Sequence, residues 1–188
     1  MVPYDGAARS CLTNWKDNGR RDLARVLAPV LTEAVLAALL AHAGQDAGRP
    51  KARGHPPRDS WVVVPVASGR ANVRRRGDRP LLDLARRALH PLPPQLRPPV
   101  VPALRLVRRV ADQAGLHSSA RAANLLGAMT VAASAAQAVD GVRCLVVDDV
   151  ITTGATLVEA ARALRAAGAD QVVAATVAAT RRRCHQGP

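Results

Sequence analysis

The chain has 188 residues, enough for one domain whose core needs no disulfide or metal support. Its three cysteines, Cys11, Cys144 and Cys184, lie far apart with no Cys-x-x-Cys, which excludes a disulfide framework and a four-cysteine zinc site. Lys+Arg total 27 against 14 Asp+Glu, a formal charge of +13, and with only Tyr4, Trp15 and Trp61 as aromatics a stacking platform for single-stranded nucleic acid is excluded.

Taken in chain order, residues 1–10 hold Asp5 and Gly6 and no apolar block, so they do not form a signal peptide. Residues 23–41 read as a helix, with Asp22 as its N-cap and Pro29 as a kink or the true start. The longest apolar run, 34–41, falls well short of the ~20 residues that span a bilayer, so no membrane partner is expected. Residues 44–58 are a Gly/Pro-rich loop, and 61–66 (WVVVPV) are a buried strand. A basic loop follows over 67–77, then a helix over 80–89 with proline in its first turn. Six prolines exclude a helix over 91–102, and 104–116 is basic without clear periodicity. Ser118 can cap a short helix to residue 126; 128–132 is a short strand and the Ala-rich 132–138 a helix. Residues 142–147 are a second buried strand, 156–167 a helix ended by Gly168, and 171–178 a third strand. Strands alternating with helices predict an α/β fold, a parallel sheet with helices on both faces. Cysteine usage fits a reducing, cytoplasmic setting.

The charge is unevenly spread. Residues 1–48 carry 5 basic and 5 acidic side chains, 49–121 carry 16 and 4, and 122–188 carry 6 and 5. A field concentrated in the middle third calls for a polyanion: nucleic acid, a phosphorylated small molecule, or simply solvent counterions.

The informative segment is 144–156, CLVVDDVITTGAT. An apolar strand runs into Asp148 and Asp149, then a loop of small and hydroxyl residues, Thr152, Thr153, Gly154, Ala155 and Thr156, then a helix. In a parallel sheet such a loop lies at the ligand crevice, and the helix start turns free N–H groups and about half a positive charge toward it. Gly154 is expected to give a tight turn that a side chain would obstruct. Alone, Asp-Asp reads as a turn and a helix cap. Beside a phosphate cradle, the two carboxylates make sense if the ligand brings a vicinal diol or a divalent cation. Phosphate on the loop and ribose over the acids describe a ribose 5-phosphate pocket. Neither Gly-x4-Gly-Lys-Ser/Thr nor Gly-x-Gly-x-x-Gly occurs.

This segment resembles the phosphoribosyl pyrophosphate signature of type I phosphoribosyltransferases, and the wider chain is similar to the ComF subgroup, named for competence and DNA uptake. The similarity includes Tyr4-Asp5-Gly6, Lys16-Asp17, Gly19-Arg20, Val64-Pro65-Val66, Arg76-Gly77, Gln113, Leu116, Arg121, Asn124 and the helix 157–168. The chain departs from that subgroup in lacking its four-cysteine zinc module and in having Asp78-Arg79-Pro80 after Arg76-Gly77. The resemblance implies one domain: an N-terminal helical part over 1–60, a core of about five parallel strands over 61–180 with a flexible hood near 92–126, and a basic tail over 181–188.

The resemblance assigns the ribose hydroxyls and catalytic role to Asp148 and Asp149, with Asp148 toward Mg2+. It assigns the 5-phosphate to residues 152–156 and the pyrophosphate to Ala67, Ser68, Gly69 and Arg70. Arg74, Arg75 and Arg76, and in the hood Arg105, Arg108, Arg109 and Arg121, are further phosphate candidates, since arginine suits bidentate phosphate contacts. The implied reaction displaces pyrophosphate from the ribose anomeric carbon. It needs magnesium and cationic donors on the leaving group, and no nucleophilic side chain. Among the histidines only His117 falls in the hood segment. Thr152 stands where 6-oxopurine enzymes often carry an aspartate, which argues against hypoxanthine or guanine as acceptor. Three readings follow: transfer to an unidentified nitrogen acceptor, non-catalytic sensing of phosphoribosyl pyrophosphate or a nucleotide, and DNA handling in competence. Nucleic acid as a partner and self-association are left open.

Overall fold

The fold is built around one strand, β5 (Arg143–Ile151), whose first seven residues are buried. A computed structural model describes residues 1–43, 61–67, 79–108 and 125–180. In it β5 pairs in parallel with β2 (Trp61–Pro65) on one side and β6 (Gln171–Ala179) on the other, and β1 (Val2–Pro3) extends the sheet beyond β6. The order is β1-β6-β5-β2. A fifth position is filled without a regular strand. The Val63 N–H donates to the Pro99 carbonyl at 2.9 Å, and Val101 N–H donates to the Val63 carbonyl at 2.9 Å. The proline-rich stretch can lie there because an edge leaves its missing donors unneeded.

Strand pleating divides the apolar residues between two cores. Val63, Leu145 and Val147 pack under α1 (Gly6–Lys16), α2 (Ala24–Ala41) and α3 (Pro80–Leu89), through Leu12, Trp15, Leu31, Leu84 and Leu89. Val62, Val64, Cys144 and Val146 pack under α5 (Ala155–Ala166) and a separate antiparallel pair, β3 (Leu104–Leu106) with β4 (Met129–Val131). Helices therefore cover both faces, as the alternation of strands and helices predicts. Burying each large apolar side chain contributes about 1.5–3 kcal/mol. Cys144 is one of these packing residues, and burial pushes its thiol up to about 12, which makes it inert at neutral pH.

Several local expectations change. Asp22 does not cap α2. A 3-10 turn, Arg21–Leu23, precedes the helix, and Asp22 accepts two 2.9 Å hydrogen bonds from the Arg20 guanidinium instead. Pro29 neither starts nor ends α2; it sits inside the helix on the exposed side, where its missing N–H strands no buried partner. By length and composition the stretch 21–41, with an 18-residue window of mean hydropathy 1.9, could cross a membrane, although no apolar run in it is that long. In the fold its Leu27, Ala28, Leu31 and Val35 lie in the core. The Ala-rich stretch forms a 3-10 turn and one short helix, α4 (Ala136–Val139). The elements β1, α1 and β3 escape sequence reading because two strands are too short to show a period and α1 buries only Leu12 and Trp15. The loop at 44–58, the basic loop from residue 68 onward, nearly all of the helix expected after Ser118 and the tail 181–188 lie outside the described residues.

Gly168 ends α5 as expected, at φ +91°, with Ala169 N–H donating to the Leu164 carbonyl at 3.1 Å. A Cβ there would collide with the Asp140 carboxylate as well as forcing a left-handed side-chain residue. Gly168→Ala is expected to cost about 1–3 kcal/mol, read as a lower urea midpoint at unchanged slope; an unchanged midpoint refutes this account of the turn.

Candidate functional site

The C-terminal edge of the parallel sheet gathers β2, β5, the loop after β5 and the start of α5. Val66 N–H donates to the Val147 carbonyl at 3.0 Å, which brings the chain at Ala67 alongside the end of β5. Along β5, Cys144 and Val146 enter one core and Leu145 and Val147 the other. At the end of the strand the Asp148 and Asp149 side chains meet each other, and Asp149 is turned toward α1. Asp149 there meets Lys16, the last residue of α1, whose Nζ lies 2.6 Å from Asp149 Oδ2.

Both carboxylates are buried, at 7% and 5% exposure, while the Lys16 side chain is 53% exposed. Loss of water pushes the Asp148 carboxyl well above the usual carboxylate range, and the neighbouring Asp149 charge pushes it further. Its Oδ1 accepts the Asp149 backbone N–H at 2.8 Å. Burial opposes ionisation of Asp149 too, but the Lys16 charge and hydrogen bonds from Asp148 and Lys16 outweigh it and hold this carboxyl below its ordinary value. Lys16 is in turn held charged: burial disfavours its ammonium, and Asp149 more than offsets that. Burial and the neighbouring charges thus push the proton affinities of the two adjacent acids apart, upward at Asp148 and downward at Asp149.

After β5 the chain turns through Thr152 and Thr153 to Gly154, which has φ +81° and serves as the N-cap of α5. No side chain caps this helix, and Ala155 N–H has only a long 3.4 Å contact to Thr153 Oγ1. Its first-turn donors are therefore available to an anion. The reason for glycine differs from the sequence expectation. An added Cβ would meet only Ile151 Cδ1, at an ordinary 3.8 Å, so backbone conformation rather than space selects the residue.

The structure brings Asp148, Asp149, Ala67 and residues 152–156 to one edge. Arg105 is exposed on β3, and Arg108 Nη2 donates to the Leu126 carbonyl at 3.0 Å. Ser68, Gly69, Arg70, Arg74, Arg75, Arg76, Arg109, His117 and Arg121 lie outside the described residues. Two residues were given no part in the site by the sequence reading, although Lys16 lies in one of the resemblance motifs. Lys16 is one; its signal was that only Lys16 and Lys51 are lysine among the 27 basic residues. The other is the buried Glu159 on α5. Glu159 accepts Met129 N–H at 2.9 Å and two hydrogen bonds from Arg162, whose Nη2 also donates to the Met129 carbonyl at 2.9 Å. This clamp fixes β4 to the helix that begins at Gly154.

Because folding raises the Asp148 pKa, its contribution is favourable below the ordinary carboxylate value of 3.8 and is lost as pH climbs toward the raised value. Asp148→Asn removes that loss and keeps the acceptor for Asp149 N–H. The variant is expected to melt a few degrees above the wild type at pH 7, the shift that about 1 kcal/mol gives in a chain of this size, and by less at pH 4. Equal shifts at both values in a thermal melt would refute the raised proton affinity of Asp148.

A family model described as the phosphoribosyl transferase domain matches residues 86–186. No curated protein matches the chain. A solved structure described as the alanine mutant in an analysis of an invariant aspartic acid in HPRTs is 15% identical, covering 83% of this chain and 78% of that one, with a TM-score of 0.42. The matched stretch holds β5, both acids, the Gly154 turn and α5, and exceeds half of the chain. On that match, the chain belongs to the phosphoribosyl transferase domain family.

Proposed function

We propose that this protein is a phosphoribosyltransferase that takes phosphoribosyl pyrophosphate with Mg2+ and transfers the phosphoribosyl group to a nitrogen acceptor. The observation that carries this reading is the run from β5 into the buried Asp148–Asp149 couple, the left-handed Gly154 and the uncapped start of α5. A phosphate finds N–H donors and a helix dipole there, and a ribose finds carboxylate acceptors one strand-end away.

Residues 152–156 would hold the 5-phosphate through backbone N–H groups and threonine hydroxyls. Asp148 and Asp149 would accept hydrogen bonds from the ribose hydroxyls, and Ala67 to Arg70 would face the pyrophosphate. No group of three or more His, Cys, Asp or Glu that could hold a metal occurs among the described residues. That suits Mg2+, which is commonly held by one or two carboxylates plus substrate phosphates, and Asp148 is the side chain that would reach it. When bound, Mg2+ supplies charge neutralisation on the departing pyrophosphate. The bond from the anomeric carbon to the pyrophosphate oxygen breaks, the acceptor nitrogen lone pair forms the new bond, and the acceptor's proton passes to solvent. The chain's own part is to hold the sugar so that positive charge can develop on its ring beside the ionised Asp149.

Thr152 is exposed and cannot take a proton at neutral pH, which argues against 6-oxopurine acceptors. Kinship with the ComF subgroup rests partly on motifs at 4–6, 16–20, 64–66 and 76–77, which lie outside the matched family stretch. Pyrophosphate release in the presence of a panel of nitrogen acceptors tests the reaction. Ligand binding without release under any of them favours the sensing role, and salt-sensitive DNA binding favours the competence role.

The Asp148→Asn, Asp149→Asn double variant is expected to fold and to lose the thermal stabilisation given by phosphoribosyl pyrophosphate with Mg2+. Gly154→Ala is expected to weaken phosphoribosyl pyrophosphate at least tenfold, since a non-glycine residue is strained at φ +81° and relaxing it turns the N–H groups away. An undiminished melting shift in the double variant places the ligand elsewhere.

A further inference from the structure

We propose that Lys16 is a fixed cation of the sugar-phosphate site, occupying at Asp149 the place that a divalent metal would otherwise take. The inference rests on the phosphoribosyl reading of this edge and goes beyond it. It starts from a conflict in the loop: two adjacent carboxylates stand beside a phosphate cradle, and a dianionic ligand approaching them is repelled unless something neutralises the acids.

The chain supplies a neutraliser of its own. Lys16 Nζ is 2.6 Å from Asp149 Oδ2, a charge-assisted contact with a carboxylate that is 5% exposed. The lysine is delivered by a dedicated piece of the fold. β1 runs parallel to β6, so its end reaches the same sheet edge as the acids, and Tyr4 N–H donates to the Ala179 carbonyl at 2.7 Å. α1 begins there at Gly6 and is pinned by Leu12 and Trp15, at 2% and 1% exposure. Arg21 also donates to the Trp15 carbonyl, which fixes the turn of helix just before the lysine. Lys16 ends α1, where the negative end of the helix dipole favours an ammonium. The geometry is therefore set from both ends rather than by a loose surface side chain.

A second observation separates this lysine from the general basicity of the chain. The sequence has 25 arginines and two lysines. Arginine presents a broad fork, whereas an ammonium is a compact point charge that fits against one carboxylate oxygen as a small cation does. The Lys16 side chain is also half exposed, so it sits at the rim of the acid couple rather than sealed beneath it. Metal-free acceptance of the monophosphate end of the ligand follows. Magnesium is then needed only where a pyrophosphate group must be neutralised, away from Asp149.

Calorimetry with ribose 5-phosphate as the probe, in EDTA and in millimolar Mg2+, tests this. The wild type is expected to bind with less than a threefold difference between the two conditions. Lys16→Met is expected to bind at least tenfold more weakly in EDTA and to regain most of that loss in Mg2+, because the vacated Asp149 accepts the metal. Lys16→Arg should fall between them in EDTA. A merely structural lysine would weaken binding equally in both conditions, and that result overturns the proposal. So does a wild type that binds ribose 5-phosphate only with Mg2+, a comparison that needs no variant to fold. Phosphoribosyl pyrophosphate with Mg2+ serves as the separate control. If it binds while the lysine prediction fails, the phosphoribosyl reading stands and this inference falls; if neither probe binds under any condition, both fall.

Discussion

The pleat of one buried strand governs the rest of the molecule. Because successive residues of β5 leave on opposite faces, the strand feeds two cores at once and carries two adjacent acids to its end. Asp149 is turned toward α1 and its lysine, and the Asp148 carboxyl stays beside it. Adjacent like charges in a water-poor edge would otherwise be prohibitive. Here the cost is divided: burial and the neighbouring charge shift Asp148 toward its neutral form, while Asp149 takes a lysine partner. A one-residue slip of β5 would exchange the apolar sets and the acids together, so core packing and site chemistry share one register.

This explains how an N-terminal residue comes to meet the acids although it is remote from them in sequence. β1 is only two residues long, but its parallel pairing with β6 starts α1 at the ligand edge. From there the helix can end beside Asp149 and nowhere near the opposite, N-terminal edge, where Arg143 stacks on Trp61 at 5.4 Å. The family match begins in α3, so the lysine is a contribution of the chain outside the shared phosphoribosyl transferase stretch.

Much of this arrangement was legible in the sequence, and the reasons are physical. The 61–66 run, the 80–89 helix, the strand at 142–147 and the Gly168 stop are strong local signals, and each stands in the structure within a few residues. The order of small residues after two acids likewise identified the loop, because few backbones need hydroxyls, glycine and a helix start in that sequence. What could not be read depends on contacts between distant segments. No period marks a two-residue strand, the Lys16–Asp149 pair spans 133 positions, and the Asp22 carboxylate found a guanidinium two residues back instead of a helix end. Gly154 was correctly singled out, but for crowding, when the constraint is a torsion angle.

The Glu159–Arg162 couple has a consequence of another kind. β4 has β3 on one side, and on its other side the Met129 amide and carbonyl are matched by a carboxylate and a guanidinium in the positions a neighbouring strand would offer. Two side chains thus stand in for a neighbouring strand at Met129. With that residue already matched, the ribbon offers a stranger's backbone less to pair with, and the cover is carried by the helix that begins at Gly154.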